Sequence, residues 1–92
     1  MKKEALLKKA EIFKVLGSPV RIQILCGLKT EGCNVKAIQE NLGLSQSIIS
    51  QHLKIMKMAG LVSCRRKGTT ICYRVADPHA KRIVEMILND KI

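Results

Sequence analysis

The stretch Ser45 to Lys57, SQSIISQHLKIMK, restricts this chain more than any other. Ile49, Leu53 and Met56 recur at i, i+4 and i+7, the spacing of one apolar stripe on an α-helix, and Ala59-Gly60-Leu61 follows directly. A helix with such a stripe has to bury that side against other elements and leave the rest in water. Turned away from the stripe are Gln46, Ser47, Ser50, Lys54 and Lys57, polar and basic groups without a carboxylate among them. Amides and hydroxyls suit base edges in the DNA major groove, and lysines suit phosphates. An ordinary solvated amphipathic helix carries the same stripe, so the surrounding sequence has to separate the two readings.

Charge is the first discriminator. The chain of 92 residues carries a formal net charge of +10, which suits a polyanionic partner. From Asn41 to Ala76 there is no acidic residue, while Lys54, Lys57, Arg65, Arg66, Lys67 and Arg74 fall inside; all seven carboxylates lie outside this window. A membrane-surface helix would set its basic residues beside a large Trp, Phe or Leu face, whereas here they straddle a helix and a hairpin. Nucleic acid is therefore favoured over lipid. Aromatic content of 2% argues against a single-strand binder built on stacking platforms. No apolar run reaches transmembrane length, and MKKEALLKKAEIF lacks a signal-peptide core, so no membrane partner is expected and the cytoplasm is the expected location.

Stop and start signals divide the chain. Lys3 to Leu16 reads as a first helix, with Leu6, Ala10, Phe13 and Leu16 on one face and Gly17 at its end. Ser18-Pro19 is an N-cap followed by proline at the first helical position. The second helix then runs to about Lys29, with Val20, Ile24, Leu25 and Leu28 inward, and Thr30-Glu31-Gly32 forms the turn. Asn34 caps a short third helix through Leu42, with Val35, Ile38 and Leu42 buried, and Gly43 stops it. A tight turn leads into the helix from Ser45, which Gly60 closes. Two short helices joined in this way, the second polar and basic, form a helix-turn-helix pattern.

The period then changes to that of strands. Leu61 to Arg66 and Thr69 to Val75 are rich in β-branched residues and are separated by Lys67-Gly68, which predicts a hairpin with a basic tip. Asp77-Pro78 opens a last helix with Ile83, Val84, Ile87 and Leu88 on one side. The expected fold is mainly α with a small β-hairpin: a winged helix-turn-helix of order α-α-α-α-β-β-α, one domain over residues 1–92. Both ends carry apolar stripes that a monomer of this size would struggle to cover, which points to a homodimer.

The runs RIQILCGL, LSQSIISQHLKIMKMAGLV and RRKGTTICYRV resemble the ArsR/SmtB family of dimeric winged-helix repressors, over roughly Leu16 to His79. The resemblance implies a homodimer joined through the first and last helices. It also implies binding to an imperfect inverted repeat in double-stranded DNA, with release by a metal ion or a thiol-modifying signal. On this reading Gln46, Ser47 and Ser50 face base edges, and Gln51 belongs to the same DNA-binding surface. Ser45 caps the helix and reaches a phosphate, and Lys54, Lys57, Arg65, Arg66 and Lys67 hold phosphates. His52, on the flank of this helix, is expected to make a phosphate contact or an interhelix hydrogen bond.

Candidate sensor residues are Cys26, Cys33, Cys64 and Cys72, none of them in a C-x-x-C pair, so zinc-finger spacing is absent. Cys26 lies on an apolar helix face, where a buried structural thiol is the plain reading. The resemblance implies a reactive cysteine at that point, but one paired with a second cysteine in the last helix, which this chain lacks. The C-x-C of the family's thiolate metal sensors is replaced by Asn34 and Lys36. Of the zinc-type D-x-H, Asp77 and His79 remain, with Asp90 where the later histidine falls and Ile92 ending the sequence before the final ligand. Cys64 and Cys72 face each other across the hairpin only with a three-residue turn; with two residues they point to opposite sides. Cys33 needs a second thiol that the sequence does not place. No cofactor is required, and a metal ion or arsenite held by Cys or His is the candidate ligand. Two other readings stay open: a winged-helix regulator with no small-molecule effector, and a less specific nucleic-acid-binding protein. An enzyme is not expected, since two histidines and scattered carboxylates form no acid–base pair.

Overall fold

The computed structural model describes residues 1–92. Its elements are α1 (Lys3–Leu16), α2 (Pro19–Glu31), α3 (Val35–Leu42), α4 (Gln46–Met58), β1 (Val62–Lys67), β2 (Thr70–Val75) and α5 (Pro78–Leu88). This is the winged helix-turn-helix order expected from the sequence.

Four of the five helices start where a short polar side chain takes up an orphan backbone N–H. Ser18 Oγ accepts from the Arg21 N–H, Asn34 Oδ1 from Ala37, Ser45 Oγ from Ile48 and Asp77 Oδ2 from Ala80. Each such cap contributes about 0.5–2 kcal/mol. Helix α2 outlasts its expected end at Lys29 by two residues. Thr30 Oγ1 donates back to the Cys26 carbonyl at 3.0 Å, which leaves its hydroxyl satisfied within the helix, and termination waits for Gly32 at φ +66°. Between α3 and α4, Gly43 takes the left-handed conformation and donates its N–H to the Gln39 and Glu40 carbonyls, ending α3 sharply enough for α4 to begin at once.

The core is entirely apolar, with no buried polar or charged residue, so its specificity rests on shape. Ile49, Leu53 and Met56 of α4 lie within it beside Ile24, Leu25 and Leu28 of α2, Ile38 of α3 and Leu61 after α4. Helix α2 is the hub, packing against α1, α3, α4, α5 and β2. Helix α1 joins this core only at its C-terminal end, where Val15 and Leu16 are buried. Of the stripe expected on α1, Leu6 and Phe13 are 55% and 65% exposed, so most of that stripe has no partner within one chain.

The hairpin forms with its turn one residue later than expected. Lys67 pairs with Thr70, placing Gly68 and Thr69 in the loop and Lys67 in β1. Gly68 has φ +61° and Thr69 does not have a positive φ, so the glycine occupies the first central position, as a type II′ turn requires. Placing it second, as Lys67-Gly68 would, leaves a lysine where positive φ is needed.

Gly27 tests the packing at the hub. A Cβ built there would lie 2.8 Å from Ile38 Cγ1, 3.1 Å from Cδ1 and 3.3 Å from Cγ2. Ile38 is buried and β-branched, so it has no room to swing aside. Gly to Ala inside a helix ordinarily gains about 0.5–1 kcal/mol, whereas overpacking a core costs about 1–3 kcal/mol. The clash outweighs the propensity gain, and Gly27→Ala is expected to be net destabilising by about 1–2 kcal/mol in urea unfolding. A stabilised variant would show that α3 can move away from α2 freely.

Candidate nucleic-acid interface

The surface of α4 away from the core is built by the burial on its other side. With Ile49, Leu53 and Met56 at 2% exposure or less, Ser47, Gln51 and Lys54 point most directly outward at 3.6 residues per turn. Gln46, Ser50 and Lys57 lean toward the hairpin. All six are exposed. Gln46 and Ser50 line a groove of about 940 Å³ between α4, the N-terminal part of α3 and the hairpin residues Thr69 to Ile71 and Tyr73. Ser45 is exposed and accepts from the Ile48 N–H at 3.2 Å, which leaves its own hydroxyl proton free to donate outward.

His52 is half-buried, and its Nδ1 accepts a hydrogen bond from Arg21 Nε at 3.3 Å, tying α4 to α2. The same guanidinium donates through Nη1 to the Val15 carbonyl at the end of α1. Arg21 thus fixes three helices at one point. In the sequence Arg21 is indistinguishable from any other basic residue on a helix. Its only signal is its place one turn into α2, on the side where His52 arrives.

Register divides the hairpin into two faces. Val62, Cys64 and Arg66 share one with Ile71, Tyr73 and Val75, and Ser63, Arg65 and Lys67 share the other with Thr70, Cys72 and Arg74. The three basic residues expected to act as one tip are therefore split: Arg66 lies on the α4 side, Arg65 and Lys67 on the opposite side. Arg74 joins the latter pair, with its Nε donating to Ser63 Oγ at 3.1 Å. It was absent from the expected contacts, since without the register its face was unknown.

All four cysteines are free and half-buried. Cys26 packs against the core, and burial pushes its thiol above the ordinary 9.0. Cys64 sits beside Lys57 of α4, and that contact, with the adjoining thiolate charge, raises the Lys57 ammonium. Because the turn holds two residues, Cys64 and Cys72 lie on opposite faces, with Cys64 opposite Tyr73 and Cys72 opposite Arg65. The pKa of Cys72 is raised, chiefly by the Cys33 thiol of the loop before α3 and then by desolvation, while Lys67 and Arg65 pull the other way. Asp77 spends its carboxylate on capping α5, His79 is exposed, and no three His, Cys, Asp or Glu side chains come together as a metal site.

Comparison with known proteins places these features in context. The family model described as "Bacterial regulatory protein, arsR family" matches residues 18–63, which is α2 through the start of the hairpin. The HTH-type transcriptional repressor SmtB of Mycobacterium tuberculosis is 39% identical over 82 residues, covering 89% of this chain. The chain spans 61% of that relative's length. The crystal structure of the transcriptional repressor PagR of Bacillus anthracis superposes with a TM-score of 0.82 at 30% identity, covering 94% of this chain and 99% of the other. A homodimeric winged helix-turn-helix DNA-binding domain from Mycobacterium bovis gives a TM-score of 0.78 at 34% identity, covering 98% and 84% of the two chains. No helix of this chain is long and apolar enough to cross a membrane.

Burial of Cys26 has a measurable consequence. Desolvation disfavours its thiolate, the form that reacts with an alkylating agent. The folded value lies above the unfolded one, so this thiol favours folding below about pH 9.0, and that contribution is lost as pH rises through the folded value. The pH profile of Cys26 alkylation by iodoacetamide, followed by peptide mass spectrometry, is expected to have its midpoint above 9.0. A midpoint at or below that value contradicts the desolvated environment.

Proposed function

Since the chain belongs to the arsR family of bacterial regulatory proteins, we propose that it is a DNA-binding transcriptional repressor. It binds an inverted-repeat operator as a homodimer and lets go in response to a thiol-reactive or soft-metal signal. The observation that carries this reading is that the outward side of α4 and the whole hairpin fall within the acid-free stretch Asn41 to Ala76, the groove between them taking its two carboxylates, Glu31 and Glu40, from α2 and α3. DNA repels carboxylates and rewards each lysine or arginine through counterion release.

On this reading the two α4 helices of a dimer enter successive major grooves about 34–36 Å apart. Gln46, Ser47, Ser50 and Gln51 face base edges, each bidentate pair giving about 1–3 kcal/mol of discrimination. Ser45 donates to a phosphate near the helix N-terminus, where backbone N–H groups already favour an anion. Lys54 and Lys57 hold phosphates flanking the groove, and the wing reaches the neighbouring backbone with Arg65, Lys67 and Arg74. Arg66 serves from the α4 side of the hairpin. His52, held by Arg21, sets the rotation of α4 relative to α2.

Dimerisation through α1 and α5 explains apolar surface that one chain leaves bare. Leu6, Leu7 and Phe13 on α1 and Met86 and Leu88 on α5 are all more than 40% exposed. Asp77 Oδ2 accepts the Ala80 N–H at 2.8 Å as the cap of α5, and with no third His, Cys, Asp or Glu beside Asp77 and His79 the signal falls to the cysteines.

Selection from random duplex DNA tests the reading as a whole: enrichment of an inverted repeat with half-sites one helical turn apart supports it, and equal affinity for unrelated sequences overturns it. Within it, Gln46→Ala is expected to relax preference at one base pair per half-site by about 1–3 kcal/mol. Arg66→Ala and Arg65→Ala weaken all sequences alike and reduce the salt slope by about 1 each. The same loss on specific and random DNA for Gln46→Ala removes it from base reading. Phe13→Glu, with its exposed ring replaced by a charge, is expected to give monomers in analytical ultracentrifugation and roughly 10-fold or greater loss of operator affinity; an unaltered dimer would place the interface elsewhere.

A further inference from the structure

Ile48 stands in the first turn of α4 and is 41% exposed, whereas Ile49 beside it is wholly buried. Single exposed aliphatic residues are common on protein surfaces, but this one is set apart by place and stiffness. It is not among the side chains that pack against the core. Its backbone N–H donates to Ser45 Oγ at 3.2 Å, so the cap that starts the helix also fixes its Cβ. A β-branched residue in a helix keeps essentially one χ1 rotamer, so its methyl groups are held still before any partner arrives. At 3.6 residues per turn it sits between outward-pointing Gln51 and half-buried His52, on the flank away from the hairpin. Ile55 follows on the same flank at 40% exposure, but about 10 Å further along the axis. Helix-turn-helix proteins present the N-terminal residues of this helix to base edges, which leaves Ile48 as the apolar group in position.

We infer that Ile48 reads the C5-methyl group of one thymine in each half-site, a specificity contact that rests on the DNA-binding reading above. In the major groove that methyl is the distinctive apolar group among the base edges, and apolar side chains contact it. The neighbouring groups on α4 discriminate less sharply on their own. Gln46, Ser47, Ser50 and Gln51 each carry a donor and an acceptor, so each can satisfy more than one base edge. An isoleucine cannot hydrogen-bond at all. Set against a polar base edge it displaces water and returns nothing, and set against a methyl it removes apolar surface from water on both sides. Ile48 therefore rewards thymine and penalises its replacements. Gln51, three residues on and adjacent on the helix surface, suits adenine, so this end of α4 is matched to A·T pairs.

The probe is the inverted repeat that the full chain selects from random duplex DNA, with each thymine replaced in turn by uracil. That replacement deletes the methyl and keeps every hydrogen-bonding group of the base. One thymine per half-site is expected to show a loss of roughly fourfold, the value of burying one such group, and roughly 10- to 20-fold when both half-sites carry uracil. Ile48→Ala is expected to bind the thymine and uracil duplexes alike, with unaltered affinity for random DNA and an unaltered dimer in analytical ultracentrifugation. Ile55→Ala is expected to keep the full uracil penalty. Alanine is a better helix former than isoleucine at an exposed position, and circular dichroism checks that both variants fold. A repeat in which no thymine responds to uracil overturns the inference, as does a penalty that persists in Ile48→Ala. A weakened dimer in Ile48→Ala also overturns it, by assigning this side chain to a contact between copies. Failure of the chain to prefer any repeat, seen before uracil is introduced, refutes the sequence-specific DNA-binding reading itself and this contact with it.

Discussion

Burial of one side of α4 governs the molecule. Ile49, Leu53 and Met56 have nearly no solvent exposure, and they meet α2, α3 and Leu61 in a core without a single polar group. Removing one of these side chains would cost about 2–5 kcal/mol, a large share of what a domain of this size has to spend. The same burial determines which residues of α4 remain outside. A helix has one rotation about its axis, so locking the apolar stripe inward aims Ser47, Gln51 and Lys54 outward and tilts Gln46, Ser50 and Lys57 toward the hairpin. Stability and the reading surface are therefore one decision.

Polar contacts refine that placement rather than create it. Arg21 spans the Val15 carbonyl and the His52 ring, joining the end of α1, the start of α2 and the middle of α4 at 3.3 Å contacts. The shape-driven core resists sliding poorly along a helix axis, whereas a guanidinium with a planar fork holds both distance and direction. Caps at Ser18, Asn34, Ser45 and Asp77 act locally in the same sense, setting where each helix starts. The interior thus supplies the free energy, and a handful of hydrogen bonds set the angles.

The hairpin departs furthest from what the sequence suggested, and for a physical reason. Strand side chains alternate with period two, so moving a turn by one residue reassigns every partner across the ladder. Gly68 takes positive φ at the first central position, and that preference moves Lys67 into the strand. Arg65, Lys67 and Arg74 consequently share a face with Cys72, and Arg66 shares the other with Cys64 and Tyr73. A basic tip that looked like one patch is two surfaces with different neighbours.

The order of elements, the caps and the buried stripe of α4 were all legible in the sequence, because each is a short-range pattern: a serine, asparagine or aspartate before a helix, a glycine after it, apolar residues at helical period. So was the acid-free window, which needs only counting. The start and stop of α3 and α4 followed from Asn34, Gly43, Ser45 and Gly60 alone. What tertiary structure decided is every relation between residues that are distant in the chain. The Arg21–His52 bond depends on the crossing of α2 and α4, and the groove that Cys33 lines with Thr70 and Tyr73 depends on where β2 runs past the loop before α3. Neither is encoded by spacing, since both arise from packing of whole elements. For Ser45 to Lys57, sequence determined that a helix would form and which side it would bury; only the packed fold decided what stands beside the other side.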